Sequence, residues 1–201
     1  VILLSSHAVY GPSDRAHEED EAPAPRTLYG ALQASREHIG MAFHHANGLP
    51  FTSLRLATVY GPGMRPDALV RVFLDAALNG GEIRLEGGGT QIRPFVHIDD
   101  AVDSIVATLD AGDYRPGEGG GRAYNVVTDH DSIGGLAARC IGAAVNLGRL
   151  GARLTSTEPR TAEVGHVRMV RSGGGMITLR PWVTLADGIP ATARAMMEKQ
   201  R

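Results

Sequence analysis

Two stretches of this chain leave their strands almost alike. Val1-Ile2-Leu3-Leu4-Ser5 runs on into Ala8-Val9-Tyr10-Gly11-Pro12, and Phe51-Thr52-Ser53-Leu54-Arg55-Leu56 runs on into Ala57-Thr58-Val59-Tyr60-Gly61-Pro62. Val1 to Leu4 are continuously apolar, as in a strand covered on both faces of a parallel sheet. The echo therefore marks two equivalent strand ends on the carboxyl edge of one sheet. That is the edge where open α/β sheets bind ligands.

Between these strands lies a polar, proline-punctuated segment, Gly11 to Arg26, which reads as a surface loop. Its acidic run Glu18-Glu19-Asp20-Glu21 reads as a solvated face. Thr27 is placed to cap a helix over 28–46, with Asn47-Gly48 as its stop. The apolar residues Leu28, Leu32, Ile39 and Phe43 follow the helical period, and Tyr29 and Gln33 share one face. Further on, the pattern predicts a helix from Asp67 to Leu78 and a short strand at Ile83-Arg84-Leu85. A turn at Gly87-Gly88-Gly89 precedes an extended segment from Arg93 to Ile98. Asp99 or Asp100 is expected to cap the next helix, to about Ala111. A surface loop at Gly117 to Gly121 leads to a strand at 123–127. Ser132 is expected to cap a helix ending near Asn146. A strand near Leu154, an arginine-bearing stretch from Arg160 to Arg171 and a last helix over 185–199 complete the chain. Strands alternating with helices through short links predict a parallel α/β sheet.

The 201 residues suit one domain or a domain and a half. A net charge of -2 gives no electrostatic footprint for nucleic acid or for an anionic membrane. The single cysteine, Cys140, excludes an internal disulfide framework and reads as a buried thiol of a reduced, cytoplasmic protein. No apolar run reaches the roughly 18 residues of a membrane span, and no signal peptide is visible. The histidines show no metal-ligand spacing: His44 and His45 are adjacent, and no HExxH occurs.

Four blocks in order carry a resemblance: Ser5-Ser6-His7-Ala8-Val9-Tyr10-Gly11, Tyr29-Gly30-Ala31 with its helix, Leu54 to Pro62, and Arg93-Pro94-Phe95-Val96-His97-Ile98-Asp99-Asp100. Tyr124-Asn125-Val126 and Pro181 to Gly188 continue it. The chain resembles the extended short-chain dehydrogenase/reductases, in particular the NAD-dependent epimerase/dehydratase group that acts on nucleotide sugars. The resemblance implies a partial Rossmann-like parallel sheet, entered at about the fifth strand, with a small C-terminal α/β subdomain for substrate. It divides the chain into 1–146, a partial NAD(P)-binding domain with interleaved substrate-binding segments, and 147–201, mainly the substrate-binding subdomain. The family's glycine-rich dinucleotide fingerprint does not occur in these residues. Gly87-Gly88-Gly89 neither follows the right strand nor opens a helix.

The resemblance also assigns roles. Tyr29 is the acid/base that takes a sugar hydroxyl proton while hydride moves to NAD or NADP. A phenol's usual pKa of about 10 calls for a cationic neighbour. The family supplies a lysine four residues on, which also holds the nicotinamide ribose, and this chain has Gln33 there. Arg36, on the same face, reads as solvated and would add charge only by folding back. Ser6 matches the hydroxyl that hydrogen-bonds the reacting oxygen, and His7 lines the substrate pocket. Ala57 and Thr58 fall at the cofactor edge, Thr58 also where relatives touch substrate phosphate. Arg93 matches the arginine that grips the substrate diphosphate, a fork suited to phosphate oxygens. Asn125 is expected to tie down a loop beside its strand. Family dehydratases carry an acid pair where this chain has His7-Ala8, so an epimerase or reductase of a UDP- or dTDP-hexose is expected over a 4,6-dehydratase. A homodimer is compatible with the family pattern. The alternative is a catalytically impaired member with a ligand-binding or scaffold role, favoured by Gln33 and the missing fingerprint.

Overall fold

A computed structural model describes residues 1–110, 121–159, 165–171 and 182–199. Most of the expected surface loop at 117–121, the first part of the Arg160–Arg171 stretch and Pro181 lie outside the described residues.

The central sheet is parallel, in the order β1 (Ile2–Ser6), β3 (Thr52–Leu56), β7 (Arg122–Val126). Ser6 stands opposite Leu56, and Leu56 opposite Val126, so the two echoing segments leave the sheet side by side at its carboxyl edge. Beyond that edge they diverge. His7–Val9 turns at once into a 3-10 helix, capped by Ser6 Oγ, which accepts from Ala8 N. Thr58–Tyr60 instead becomes β4, parallel to β6 (Ile92–His97). β6 pairs antiparallel with β8 (Asp129–Ser132), one departure from an all-parallel sheet. Two small parallel pairs complete the strands: β5 (Glu82–Glu86) with β9 (Arg153–Thr157), and β2 (Ala16–His17) with β10 (Arg168–Met169).

The helices are α1 (Leu28–Asn47), α2 (Leu69–Leu78), α3 (Ile98–Asp110), α4 (Ile133–Asn146) and α5 (Leu185–Glu198). Thr27, Ser132 and Thr184 each accept a backbone N–H of the first turn, which fixes where α1, α4 and α5 begin. Gly48 ends α1 in the left-handed conformation, at φ 66°. α3 starts at Ile98, two to three residues earlier than a cap at Asp99 or Asp100 would give. Asp99 and Asp100 sit in its first turn, favourably placed against the helix dipole, and do not form its cap.

Two cores result. One packs α2, α4 and α5 around Tyr60, Phe95, Leu136 and Ile189. The other lies about the central sheet and holds Val9, Leu54, Val96, Val126 and Met169. The apolar stripe of α1 belongs to neither. Leu28, Leu32, Ile39 and Phe43 face outward, and the inward positions are Gly30, Gln33, Ala34 and Glu37. The sheet face beneath α1 is polar, and this reverses the helix's sidedness. Glu37 accepts hydrogen bonds from Ser5 Oγ, Ser53 Oγ (3.1 Å) and the Arg55 guanidinium (2.9–3.2 Å).

The acidic run is not simply a solvated face. Glu19 accepts from the Asn125 backbone N–H at 2.8 Å, and Glu21 holds Arg15 and His17. Asn125 is fully buried and ties together the loop, β2 and the residue after β10, as expected of it. It receives Tyr10 Oη at 2.9 Å and donates to Val170 O (2.8 Å) and His17 O (3.3 Å). Cys140 is buried, and burial pushes its thiol up to about 12, leaving it unreactive. No helix among the described residues is long and apolar enough to cross a membrane.

Candidate active site

The site is built where β1 ends and α1 begins. Gly30 makes the approach close. A Cβ on it would lie 2.0 Å from the carbonyl oxygen of Ala8, so only a glycine lets the helix start against the loop after β1. That approach brings Ser6 and Tyr29 to one cleft of about 650 Å³, whose walls include His7, Ala57 and Thr58. A smaller cleft of about 360 Å³ shares Ser6, His7 and Tyr29 and extends past Arg93 and Arg26. Thus Ser6, His7 and Tyr29 stand where the two clefts meet, with Ala57 and Thr58 in one and Arg93 in the other.

Tyr29 projects into this space and is 56% exposed, whereas Tyr10 and Tyr60 are buried, with their hydroxyls pushed up by burial. Among these three, Tyr29 alone can meet a solute. Gln33 donates from Nε2 to Tyr29 Oη at 2.9 Å, as the four-residue spacing predicts. Arg36 is not simply solvated. It folds back and donates from Nη1 to Gln33 Oε1 at 2.7 Å. Arg93 donates to two backbone carbonyls, Ile92 O at 2.9 Å and Gly165 O at 2.7 Å, which hold it at the edge of the smaller cleft. Arg26 was passed over in the sequence, where nothing set it apart from a loop cation. It lines the same cleft and has no hydrogen bond or ion pair among the described residues.

His7 is held well below the usual histidine value, at about 4. Burial is the main cause and the positive charge of Arg93 adds to it, while the bond its Nδ1–H donates to Leu56 O (3.4 Å) works the other way. At neutral pH the ring is therefore an uncharged wall of the pocket. Between pH 6.5 and 4 the unfolded chain protonates this histidine and the folded one does not. The stability it contributes is complete above pH 6.5 and is lost as pH falls toward 4. Urea unfolding across this window should show a steeper acid decline in the wild type than in His7→Asn; equal slopes would refute the assignment.

The residues present suit one end of a nicotinamide dinucleotide. The Tyr29 hydroxyl and Gln33 amide form a donor and acceptor pair beside a cleft walled by Ala57 and Thr58, which fits a nicotinamide ribose. The Gly87–Gly89 turn has φ of 57°, 71° and 69°, but it joins β5 to β6 and lies outside the cleft. The described residues therefore offer no glycine-rich cradle for a pyrophosphate.

Comparison with known proteins agrees with this geometry. Residues 1–126 match the family model for the NAD dependent epimerase/dehydratase family. A probable UDP-glucuronate 4-epimerase of Rhizobium meliloti is 41% identical over 108 residues, 53% of this chain and 32% of the relative. UDP-glucuronate 4-epimerase 4 of Arabidopsis thaliana is 36% identical over 125 residues, 60% of this chain and 29% of the relative. Among solved structures, UDP-glucuronic acid 4-epimerase from Bacillus cereus, in complex with UDP-glucuronic acid and NAD, superposes with a TM-score of 0.85 at 27% identity. It covers 98% of this chain and 61% of its own. A dTDP-glucose 4,6-dehydratase from Streptomyces venezuelae with NAD bound gives 0.83 at 26% identity, over 99% of this chain and 60% of its own. The chain thus spans about a third of the curated relatives' length and about three fifths of the solved ones. With the tyrosine-bearing helix, the serine-ended strand and the parallel sheet all in place, the chain belongs to the NAD-dependent epimerase/dehydratase family.

Proposed function

We propose that this chain forms the catalytic edge and sugar-nucleotide side of an NAD(P)-dependent epimerase acting on a UDP-hexose, the substrate being a hexuronate. The observation that carries this reading is the meeting of Ser6 and Tyr29 in one cleft, with a side-chain donor on the same helix set against the Tyr29 oxygen. When bound, the nicotinamide supplies the hydride acceptor. Tyr29 takes the proton of the sugar hydroxyl, and Ser6 Oγ hydrogen-bonds that oxygen and orients it. Gln33 steadies the phenolate through its N–H, and the Tyr29 oxygen so held faces the nicotinamide ribose. Ala57 and Thr58 form the far wall. Arg93, its guanidinium already placed by Ile92 O and Gly165 O, receives the diphosphate. Arg26, unpaired among the described residues, supplies a second cation on the substrate side.

Ala8 follows His7 where a dehydratase needs an acid pair, which supports epimerisation over loss of water. The relatives named as UDP-glucuronate 4-epimerases support the hexuronate. The core around the central sheet would be the cofactor side, and residues 147–201 mainly the substrate side. The outward stripe Leu28, Leu32, Ile39 and Phe43 supports a homodimer through α1.

The test uses the full natural protein with NAD and UDP-glucuronate, UDP-glucose or dTDP-glucose in turn, read by proton NMR of the anomeric signals. Appearance of the C4 epimer of UDP-glucuronate is expected. A 4-keto-6-deoxy product from dTDP-glucose, or no conversion of any of the three, would overturn the reading.

A further inference from the structure

Gln33 is a side chain with two faces. Its carbonyl oxygen only accepts and its NH2 only donates, and the two ends exchange by a flip of the amide. Beside a tyrosine the choice matters. With Oε1 turned inward, the amide would accept the phenol's proton and hold it. With Nε2 turned inward, it donates to the phenol oxygen and stabilises that oxygen as it becomes an anion. A glutamine alone does not select between these states.

Arg36 does. A guanidinium carries five donors and no acceptor. Its Nη1 sits 2.7 Å from Gln33 Oε1, so the oxygen is engaged and Nε2 must face Tyr29 Oη, 2.9 Å away. Gln33 is only 8% exposed, so the amide cannot turn out to water instead, while Tyr29 stands 56% exposed in the cleft. The three residues lie on one face of α1 at spacings of four and three, and the helix itself sets the chain of donors. Charge on the first donor also polarises the second, since hydrogen bonds in series strengthen one another.

We propose that Arg36 is a positioning residue. It locks Gln33 as a one-way donor to Tyr29, so that the Arg36–Gln33 pair takes the place of the lysine ammonium expected at position 33. The phenol's own proton is thereby directed into the cleft, where substrate exchanges it. The role in turnover rests on the reading under Proposed function; the lock itself does not.

Two measurements test it. The first needs no activity. The glutamines are Gln33, Gln91 and Gln200, and in protein labelled with nitrogen-15 the Gln33 side-chain amide is identified by its loss in Gln33→Met. Arg36→Ala should move that signal toward the position of a free amide and speed its exchange with water. Arg36→Lys, which retains a donor, should preserve it, and Tyr29→Phe should shift one of its two protons. A Gln33 signal unmoved in Arg36→Ala would overturn the lock. The second measurement is turnover in the full natural protein. Arg36→Ala should lower kcat by about 10-fold to 100-fold, the worth of one hydrogen bond to a charged group, with KM little changed and with rescue by Arg36→Lys. In a Gln33→Lys background, which has no amide to hold, Arg36→Ala should have no effect. An equal loss in both backgrounds would assign Arg36 a merely structural role and overturn the proposal. If the amide responds as stated but the wild type turns over no nucleotide sugar, the proposed reaction fails and the lock stands.

Discussion

Tyr29→Phe is expected to lower turnover of the nucleotide sugar by about 10²–10⁴-fold, the range for removal of a general acid/base, and to leave the melting temperature unchanged. Both halves follow from the same geometry. The hydroxyl lies in an open cleft and its one hydrogen-bond partner among the described residues is Gln33, so deleting it removes no packing and leaves a single amide N–H facing that cleft. The hydroxyls and the imidazole nearest Tyr29 are poorly placed to take over the proton. Ser6 Oγ is hydrogen-bonded to no base among the described residues, its contact being the N–H of Ala8. His7 is neutral and spends its Nδ1–H on Leu56 O. Tyr10 and Tyr60 are buried with their hydroxyls pushed up, Tyr10 bound to Arg55 and Asn125 and Tyr60 to the carbonyl of Thr184. Initial rates with differential scanning calorimetry on the same samples would decide it. If the variant retains more than about a tenth of wild-type turnover, Tyr29 is not the acid/base, and the cleft must be read around Ser6 and His7 alone. If the variant melts early, the residue is structural.

The parts of the site that were readable in the sequence are those fixed by local geometry. The four-residue spacing of Tyr29 and Gln33 on a capped helix is a local fact, and the structure places the two in contact. The repeated strand exits reflect neighbouring parallel strands, and register aligns Ser6 with Leu56. What escaped depends on partners distant in sequence. Thr58–Tyr60 and Asp129–Ser132 are too short and too polar to announce themselves. They become strands because Ile92–His97 lies between them and offers hydrogen bonds on both sides. Arg36 is exposed, as read, but its guanidinium also folds back onto the Gln33 oxygen three residues away, a local contact whose weight shows only once the Gln33 NH2 is seen turned to Tyr29. The α1 stripe followed the helical period correctly but pointed outward, because the sheet beneath the helix is polar. A pattern of apolar residues identifies a helix face without saying what lies under it.

That polar layer leads to the largest effect expected on stability. Glu37→Ala should destabilise the fold by about 3–5 kcal/mol, the usual consequence of removing one partner from a buried ion pair, which is a large share of a typical domain's 5–15 kcal/mol or so. Glu37 and Arg55 are each 4% exposed, and Glu37 receives Ser5, Ser53 and Arg55 together. Without it, the guanidinium keeps only Tyr10 Oη (2.7 Å) and the carbonyl of Glu19 (3.1 Å), and its charge is left in the interior. Replacing both members by apolar residues removes that stranded charge. Glu37→Met with Arg55→Met should therefore be less destabilised than Glu37→Ala alone, as measured by urea unfolding with unchanged slope. A loss below about 1 kcal/mol for Glu37→Ala, or a double variant that is worse than the single, would show that the pair is solvated and does not anchor the fold. The anchor also reaches the chemistry. Glu37 ties α1 to Ser5, the neighbour of Ser6, two turns of helix beyond Tyr29. The same bond that holds the sheet under the helix thus sets the separation between the serine hydroxyl and the tyrosine, and a displacement there of about 1 Å is enough to cost roughly 10²-fold in rate. Turnover in Glu37→Ala, assayed well below its lowered melting temperature, should therefore fall even in the fraction that remains folded, and Glu37→Gln, which preserves an acceptor for Ser5, should recover part of it.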